Sequence, residues 1–298
     1  MRLLLLGANG QVGHELLEAL APLGEVVAAT RGGHLPDGSH AEAADLADPD
    51  SLPGLVSRVA PDLVVNAAAY TAVDRAETER ELAFRVNAEA PGVLARACAD
   101  ASIGLVHFST DYVFDGSQTR PWREDDPTGP LGVYGQSKLA GEEAIRASGA
   151  PHKIFRLCWV YGPRGNNFLL TMLRLARERD QLRVVDDQRG TPTSARRIAA
   201  GVAGALQAMP GASGTWHLAA EGECSWHGFA VEIFRGAVAR GLLARAPALE
   251  AIPSSEFPTP ARRPAYSRLD TGAFTRDTGL HLGDWREGLA EALDELAR

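Results

Sequence analysis

Leu3-Leu4-Leu5-Leu6 followed by Gly7-Ala8-Asn9-Gly10-Gln11-Val12-Gly13 is the stretch on which the fold turns. Four consecutive apolar residues stopped by a glycine predict a short strand buried on both faces, and residues 11–20 carry apolar side chains at helical spacing. Between them lies a turn with glycines three residues apart. Without Cβ atoms, Gly7, Gly10 and Gly13 allow a tight turn, a close approach of phosphate to backbone, and close packing of the helix on the strand. The expected unit is therefore strand, anion-binding turn, helix.

Working outward, strands are expected at residues 26–29, 63–65, 103–108 and 154–157, with helices at 51–59 and 77–99. This βαβα alternation predicts an α/β fold: a doubly wound parallel sheet, Rossmann-like, with ligands beyond the carboxyl ends of the strands. After residue 157 the pattern loosens. Short strands at 182–185 and 215–218 separate helices at 168–179, 195–208 and 226–240, and this part is expected to cap the sheet. The proline-rich stretch 247–263 predicts a loop or edge connection, and 285–296 a closing amphipathic helix. The expected division is a dinucleotide-binding domain at 1–157 that carries the catalytic residues and a smaller substrate-binding region at 158–298, with the chain crossing between the two.

Composition bounds the function. The chain has 298 residues with 30 basic and 38 acidic side chains, a formal charge of -8 that argues against generic binding to nucleic acid or an anionic membrane. The apolar run at residues 3–6 is too short for a signal sequence or a membrane span, so a soluble, cytoplasmic protein is expected. Cys98, Cys158 and Cys224 are odd in number and widely spaced, which predicts buried free thiols. His217, His227 and His281 lack metal-ligand spacing, and the adjacent Asp186 and Asp187 would face opposite sides of a strand, so no metal ligand is assigned.

Tyr134-Gly135-Gln136-Ser137-Lys138 places a phenol and an ammonium one helical turn apart. A lysine beside a phenol favours phenolate, which suits the tyrosine to proton transfer. GxxGxxG in its strand-helix setting, Asn66-Ala67-Ala68-Ala69 after a strand, Ser109-Thr110 after the next and Tyr134 with Lys138 together resemble the short-chain dehydrogenase/reductase superfamily. Asn87 lies where extended members of that superfamily often carry a helix asparagine. Within it, NAAAYTAVDRAE at 66–77, STDYVFDG at 109–116, DDQRGTPT at 186–193, RLCWVYG at 156–162, Asn166-Asn167-Phe168 and RPAYSRL at 263–269 resemble the dTDP-4-dehydrorhamnose reductase family over nearly the whole chain.

The resemblance implies reduction of the C4 ketone of a dTDP-linked 4-keto-6-deoxyhexose, dTDP-6-deoxy-L-lyxo-4-hexulose, to dTDP-L-rhamnose by a reduced nicotinamide. Tyr134 is then the general acid, Lys138 holds the nicotinamide ribose and lowers the phenol's pKa, and Thr110, in preference to Ser109, orients the ketone. Gly7, Asn9, Gly10, Gln11, Val12 and Gly13 are expected on the pyrophosphate, Ala67, Ala68 and Ala69 along the cofactor, and Asp45 and Leu46 beside the adenine. Arg31, after the second strand where NAD enzymes carry a carboxylate, suits a 2′-phosphate and favours NADPH over NADH. Asn167, Arg263, Arg262 and Arg268 are candidates for the substrate diphosphate, and Trp159 for the deoxyhexose face. The family resemblance admits magnesium without assigning its ligands. Gly135, Ala140, Gly141 and Ala144 would allow close helix packing within a subunit or across a homodimer. The competing readings are an extended short-chain nucleotide-sugar epimerase, which would retain its NAD, and a non-catalytic regulatory subunit that resembles the reductase.

Overall fold

The first half of the chain runs β1 (Arg2–Leu6), α1 (Gln11–Leu20), β2 (Glu25–Thr30), β3 (Glu42–Ala43), α2 (Leu52–Val59), β4 (Leu63–Asn66), α3 (Val73–Ala76), α4 (Arg80–Phe84), α5 (Ala90–Asp100), β5 (Gly104–Thr110), α6 (Val133–Ala147) and β6 (His152–Leu157). It continues as β7 (Val160–Tyr161), α7 (Phe168–Glu178), β8 (Gln181–Val185), β9 (Arg189–Gly190), β10 (Thr193–Ser194), α8 (Ala195–Ala208), β11 (Gly214–His217), β12 (Cys224–Ser225), α9 (Trp226–Ala239), β13 (Ala248–Ile252), α10 (Gly272–Thr278) and α11 (Trp285–Leu296). This computed structural model describes all residues, 1–298.

Seven strands form one sheet in the order β11-β6-β5-β4-β1-β2-β3, and every pairing in it is parallel. Strand order reverses between β1 and β4, which opens a crevice at their carboxyl ends. The doubly wound, Rossmann-like architecture predicted from the alternation is the observed one. In β1 the side chains alternate between the two layers. Leu3 and Leu5 pack with Leu16, Val65, Val106 and Ile198 on one face, and Leu4 and Leu6 with Leu52, Val56, Leu94 and Ile145 on the other. A third core, built on Leu169, Leu173, Phe229, Ile233, Trp285 and Leu289, joins α7, α9 and α11 away from the sheet.

Three elements differ from expectation. The strand at 215–218 does not cap the sheet: β11 extends its edge beside β6, and Ile198 and Val202 of α8 join the Leu3–Leu5 core, so the chain returns to the first layer after residue 157. The helix expected over 77–99 is broken into α4, a π-helical turn at Arg85–Glu89, and α5. The wide turn buries Asn87, whose amide bonds the backbone of Tyr70 at N–H (2.8 Å) and C=O (3.0 Å). Within 247–263, Pro247 and Pro253 bracket β13, which pairs in parallel with β8, so the prolines delimit a strand rather than a continuous loop. The three cysteines are buried free thiols, and no helix is long and apolar enough to cross a membrane.

Candidate active site

The glycine turn is a close-packed cradle. Gly7 has φ 75°, and a Cβ there would stand 2.6 Å from the Ala68 nitrogen. A Cβ on Gly13 would stand 2.0 Å from the Gly7 carbonyl oxygen. No side chain caps the start of α1, so its first N–H groups are free for an anion. Gly13→Ala is expected to cost about 1–3 kcal/mol through forced displacement of the turn. A melting curve, with dinucleotide binding measured alongside, checks both consequences; an unchanged melt with full binding would contradict the close packing.

Arg31 stands exposed just beyond β2, while Ala67 and Ala68 lie half-buried across the crevice and Ala69 is exposed. Leu46 is buried, and the Asp45 carboxylate accepts a hydrogen bond from the Ala47 N–H at 2.9 Å. Gln11 points away from the turn toward the second half, accepting a hydrogen bond from Asn167 at 2.8 Å.

Thr110 closes β5, donates its hydroxyl proton to Asp111 Oδ1 at 2.9 Å and accepts the Tyr112 N–H at 3.2 Å. Tyr134, in the first turn of α6, meets the Tyr112 ring edge-on at 5.8 Å. Burial pushes its phenol up to about 12, with the Thr110 hydroxyl drawing it down and the Asp111 charge adding to the rise. Lys138 is 2% exposed and directs Nζ to His107 Nε2 at 3.2 Å. Burial draws it down to about 8, opposed by the charge of Glu142. Ser109 faces the other way, as strand alternation requires, and its buried Oγ has no hydrogen-bond partner.

Helix α6 is fixed from several sides. A Cβ on Gly135 would fall 2.2 Å from the Tyr112 carbonyl, and one on Gly141 2.1 Å from that of Asn87. These two small residues are thus used within the subunit. Asn87 also donates to Ser137 Oγ at 3.0 Å. One turn beyond Lys138, buried Glu142 receives two hydrogen bonds from Arg156 of β6, at 2.9 and 2.8 Å.

A cleft of about 1150 Å³ opens between the Tyr112 segment and the second half, lined by Tyr112, Asn167, Trp226, Phe257, Arg179 and Arg263 among others. The structure brings Arg263 there, bound bidentately to Asp74 at 3.1 and 2.8 Å. Asn167 also lines the cleft, but its amide caps α7, accepting the Leu170 N–H and donating to Gln11, Gly162 and Arg164, so its polar atoms are committed within the protein. Trp159 departs from its expected role. Its ring is stacked on Trp226 at 3.5 Å and 6°, and a Cβ on Gly190 would stand 2.5 Å from it, so Trp226 forms the cleft wall in its place. Sequence reasoning missed Trp226, Asp74 and Arg179; only the aromatic-rich helix start Trp226-His227-Gly228-Phe229 hinted at the first. Arg262 lies on the other side of the same loop, beside Gly132 and Tyr134, and Arg268 pairs with Glu223 at 3.3 Å.

Asp187 is tied to Ser254 and Asp186 to Ser225, which accounts for both carboxylates structurally. No group of three or more His, Cys, Asp or Glu side chains is placed to hold a metal.

All of residues 1–298 match the family described as RmlD substrate binding domain. A curated dTDP-4-dehydrorhamnose reductase of Shigella flexneri is 44% identical over 299 residues, covering 99% of this chain and 98% of the relative. The crystal structure of a dTDP-4-dehydrorhamnose reductase from Clostridium acetobutylicum superposes with a TM-score of 0.90 at 36% identity, covering 100% of both chains. That of Bacillus anthracis str. Ames, solved in complex with NADP, gives 0.89 at 32% identity and 99% of both chains. With the order of its motifs, the full-length match and the shared fold in agreement, the chain belongs to the dTDP-4-dehydrorhamnose reductase family.

Proposed function

We propose that this chain reduces the C4 ketone of dTDP-6-deoxy-L-lyxo-4-hexulose to dTDP-L-rhamnose, with NADPH preferred over NADH and Tyr134 as proton donor. The observation that carries the reading is the juxtaposition of Thr110 and Tyr134 at the carboxyl edge of the sheet, with Lys138 one turn behind and the glycine cradle across the crevice. The cradle fits a dinucleotide: the turn has no room for a Cβ at Gly7 or Gly13, and the start of α1 has unused N–H groups. Gly7 to Gly13 would hold the pyrophosphate, Ala67 to Ala69 would border the nicotinamide half, and Asp45 and Leu46 would border the adenine. When bound, the reduced nicotinamide supplies the hydride.

The protein's own part is to position the ketone and deliver a proton. A tyrosine that must give a proton must carry one, and burial keeps the Tyr134 phenol protonated well above neutral pH. As alkoxide develops on the substrate oxygen, Tyr134 transfers its proton there, and Thr110 holds that oxygen in line. Lys138 would hold the ribose hydroxyls, which fixes the height of the nicotinamide against Tyr134. In the cleft, Trp226 offers an aromatic face to the sugar or base, and Arg179 a guanidinium for the diphosphate beside the Asp74-clamped Arg263.

Mixing the enzyme, NADPH and the dTDP-ketohexose tests reaction, sugar and cofactor together. Stoichiometric loss of the near-ultraviolet absorbance of reduced nicotinamide is expected; a cycle with no net loss points to an epimerase, and no reaction with stable binding to another enzyme points to a regulatory subunit. Arg31→Ala is expected to raise KM for NADPH about tenfold or more, the size of one charge-assisted contact, and to leave KM for NADH nearly unchanged. Equal effects on both cofactors would remove Arg31 from the 2′-phosphate.

A further inference from the structure

Behind Tyr134, Asn66 at the end of β4, His107 within β5 and Lys138 on α6 form a buried line. Asn66 Nδ2 lies 3.2 Å from His107 Nδ1, and His107 Nε2 lies 3.2 Å from Lys138 Nζ. The three side chains are 1%, 0% and 2% exposed, so no solvent shares in these contacts. An amide NH2 at one ring nitrogen and an amino group at the other cannot both donate to a neutral imidazole, which has one acceptor nitrogen and one N–H.

The Asn66 amide decides between them. Its Oδ1 accepts the Ala68 N–H at 3.2 Å, which turns the NH2 toward the ring. Nδ1 is then the acceptor and the ring proton sits on Nε2, an assignment made from the hydrogen-bond network. An Nε2–H aimed at Lys138 needs a lone pair on Nζ, and only the neutral amine has one. The doubly protonated ring is excluded because it would turn an N–H against the Asn66 NH2, and burial pushes His107 well below the usual imidazole range.

We propose that His107 is a positioning residue for Lys138: locked by Asn66 as the Nε2–H tautomer, it donates to the Lys138 amine and so shifts the cofactor-free lysine away from the ammonium and toward that uncharged form. On binding, any Lys138 still in the amine form takes one proton from solvent, and the ammonium turns its N–H groups to the ribose hydroxyls. The surrounding charges are consistent with such a poise. Glu142, on the same helix, favours the ammonium, but Arg156 from β6 and Arg146 partly neutralise it. Asp111 at the end of β5 acts on Tyr134. Asn87 and Ser137 on the side of the π-helical turn are uncharged. This role rests on reading Lys138 as the ribose-holding residue, yet its test needs neither substrate nor cofactor, so its failure and that of the reductase reading are distinguished.

The chain has two lysines, Lys138 and Lys153, which makes lysine-selective NMR decisive. With 15N-histidine and 13C,15N-lysine labels, and with Lys153→Arg and His107→Gln used for assignment, the cofactor-free protein is expected to show His107 as Nε2–H. Lys138 is expected to titrate at about 8. Asn66→Ala releases the lock: the ring can then turn its lone pair to an ammonium, and the Lys138 titration is expected to rise by about one pH unit, the equivalent of one hydrogen bond. An Nδ1–H tautomer in the wild-type protein overturns the proposal, as does a Lys138 titration that stays or falls in Asn66→Ala. Should that variant not fold, the wild-type tautomer alone decides.

Discussion

Tyr134→Phe is expected to lose about a hundredfold to ten-thousandfold in kcat while cofactor affinity changes little, because it removes the donated proton and keeps the ring. The Tyr112 ring still meets an aromatic edge, and α6 is held by contacts that do not involve the phenol: Gly135 on Tyr112, Gly141 on Asn87, and Glu142 on Arg156. Thr110→Val provides the comparison. It removes the hydroxyl that would hold the ketone, and it leaves Asp111 without that donor, so a smaller loss in kcat is expected together with a higher KM. Stopped-flow decay of reduced nicotinamide, with cofactor binding measured separately, distinguishes the two variants. Near-normal turnover of Tyr134→Phe would refute its assignment as the proton donor.

The parts of this molecule that could be read in the sequence are those whose physics is local. A glycine every third residue after an apolar tetrad specifies cradle and strand together, because turn, helix start and strand end lie within about three helical turns of one another along the chain. The same is true of Tyr134 and Lys138, whose shared helix face follows from their spacing alone. What escaped reading depends on partners far apart in sequence. Trp159 is conspicuous as a tryptophan after a strand, but its face is taken by Trp226, and no pattern near either residue reveals that stack. Arg263 announces a positive charge, and Asp74 clamps it across a separation of 189 residues. Asn167 announces an amide and serves as a helix cap. Lys138 suggests a phenol-tuning ammonium, whereas its Nζ meets a histidine that the sequence shows only as the polar interruption of an apolar strand. In each case the residue type indicated the chemistry available, and tertiary packing decided whether that chemistry faced the crevice.

Glu142→Ala is expected to destabilise the protein by about 3–5 kcal/mol, the cost of leaving a buried guanidinium without its partner. Arg156 is 2% exposed and Glu142 0%, so no water replaces the lost carboxylate. Burial would raise the Glu142 carboxyl, but the two Arg156 hydrogen bonds and the arginine charge outweigh it, and the group ends below its ordinary 4.5. A carboxylate depressed on folding contributes stability that is complete above its unfolded pKa and lost as pH falls through the folded value. The gap between wild type and Glu142→Ala should accordingly be full at neutral pH and narrow only on acidification below about 4.5. Arg146→Ala, which removes the half-exposed partner of the same carboxylate, is expected to cost about 1 kcal/mol or less. Pairing Glu142→Leu with Arg156→Met should recover much of the loss, since two apolar side chains need no compensation for burial. Denaturant titrations at neutral and acid pH check all three. If Glu142→Ala and Arg146→Ala cost the same, Arg156 is not the partner that matters, and the anchoring of α6, with Tyr134 and Lys138 on it, must be sought in the glycine contacts instead.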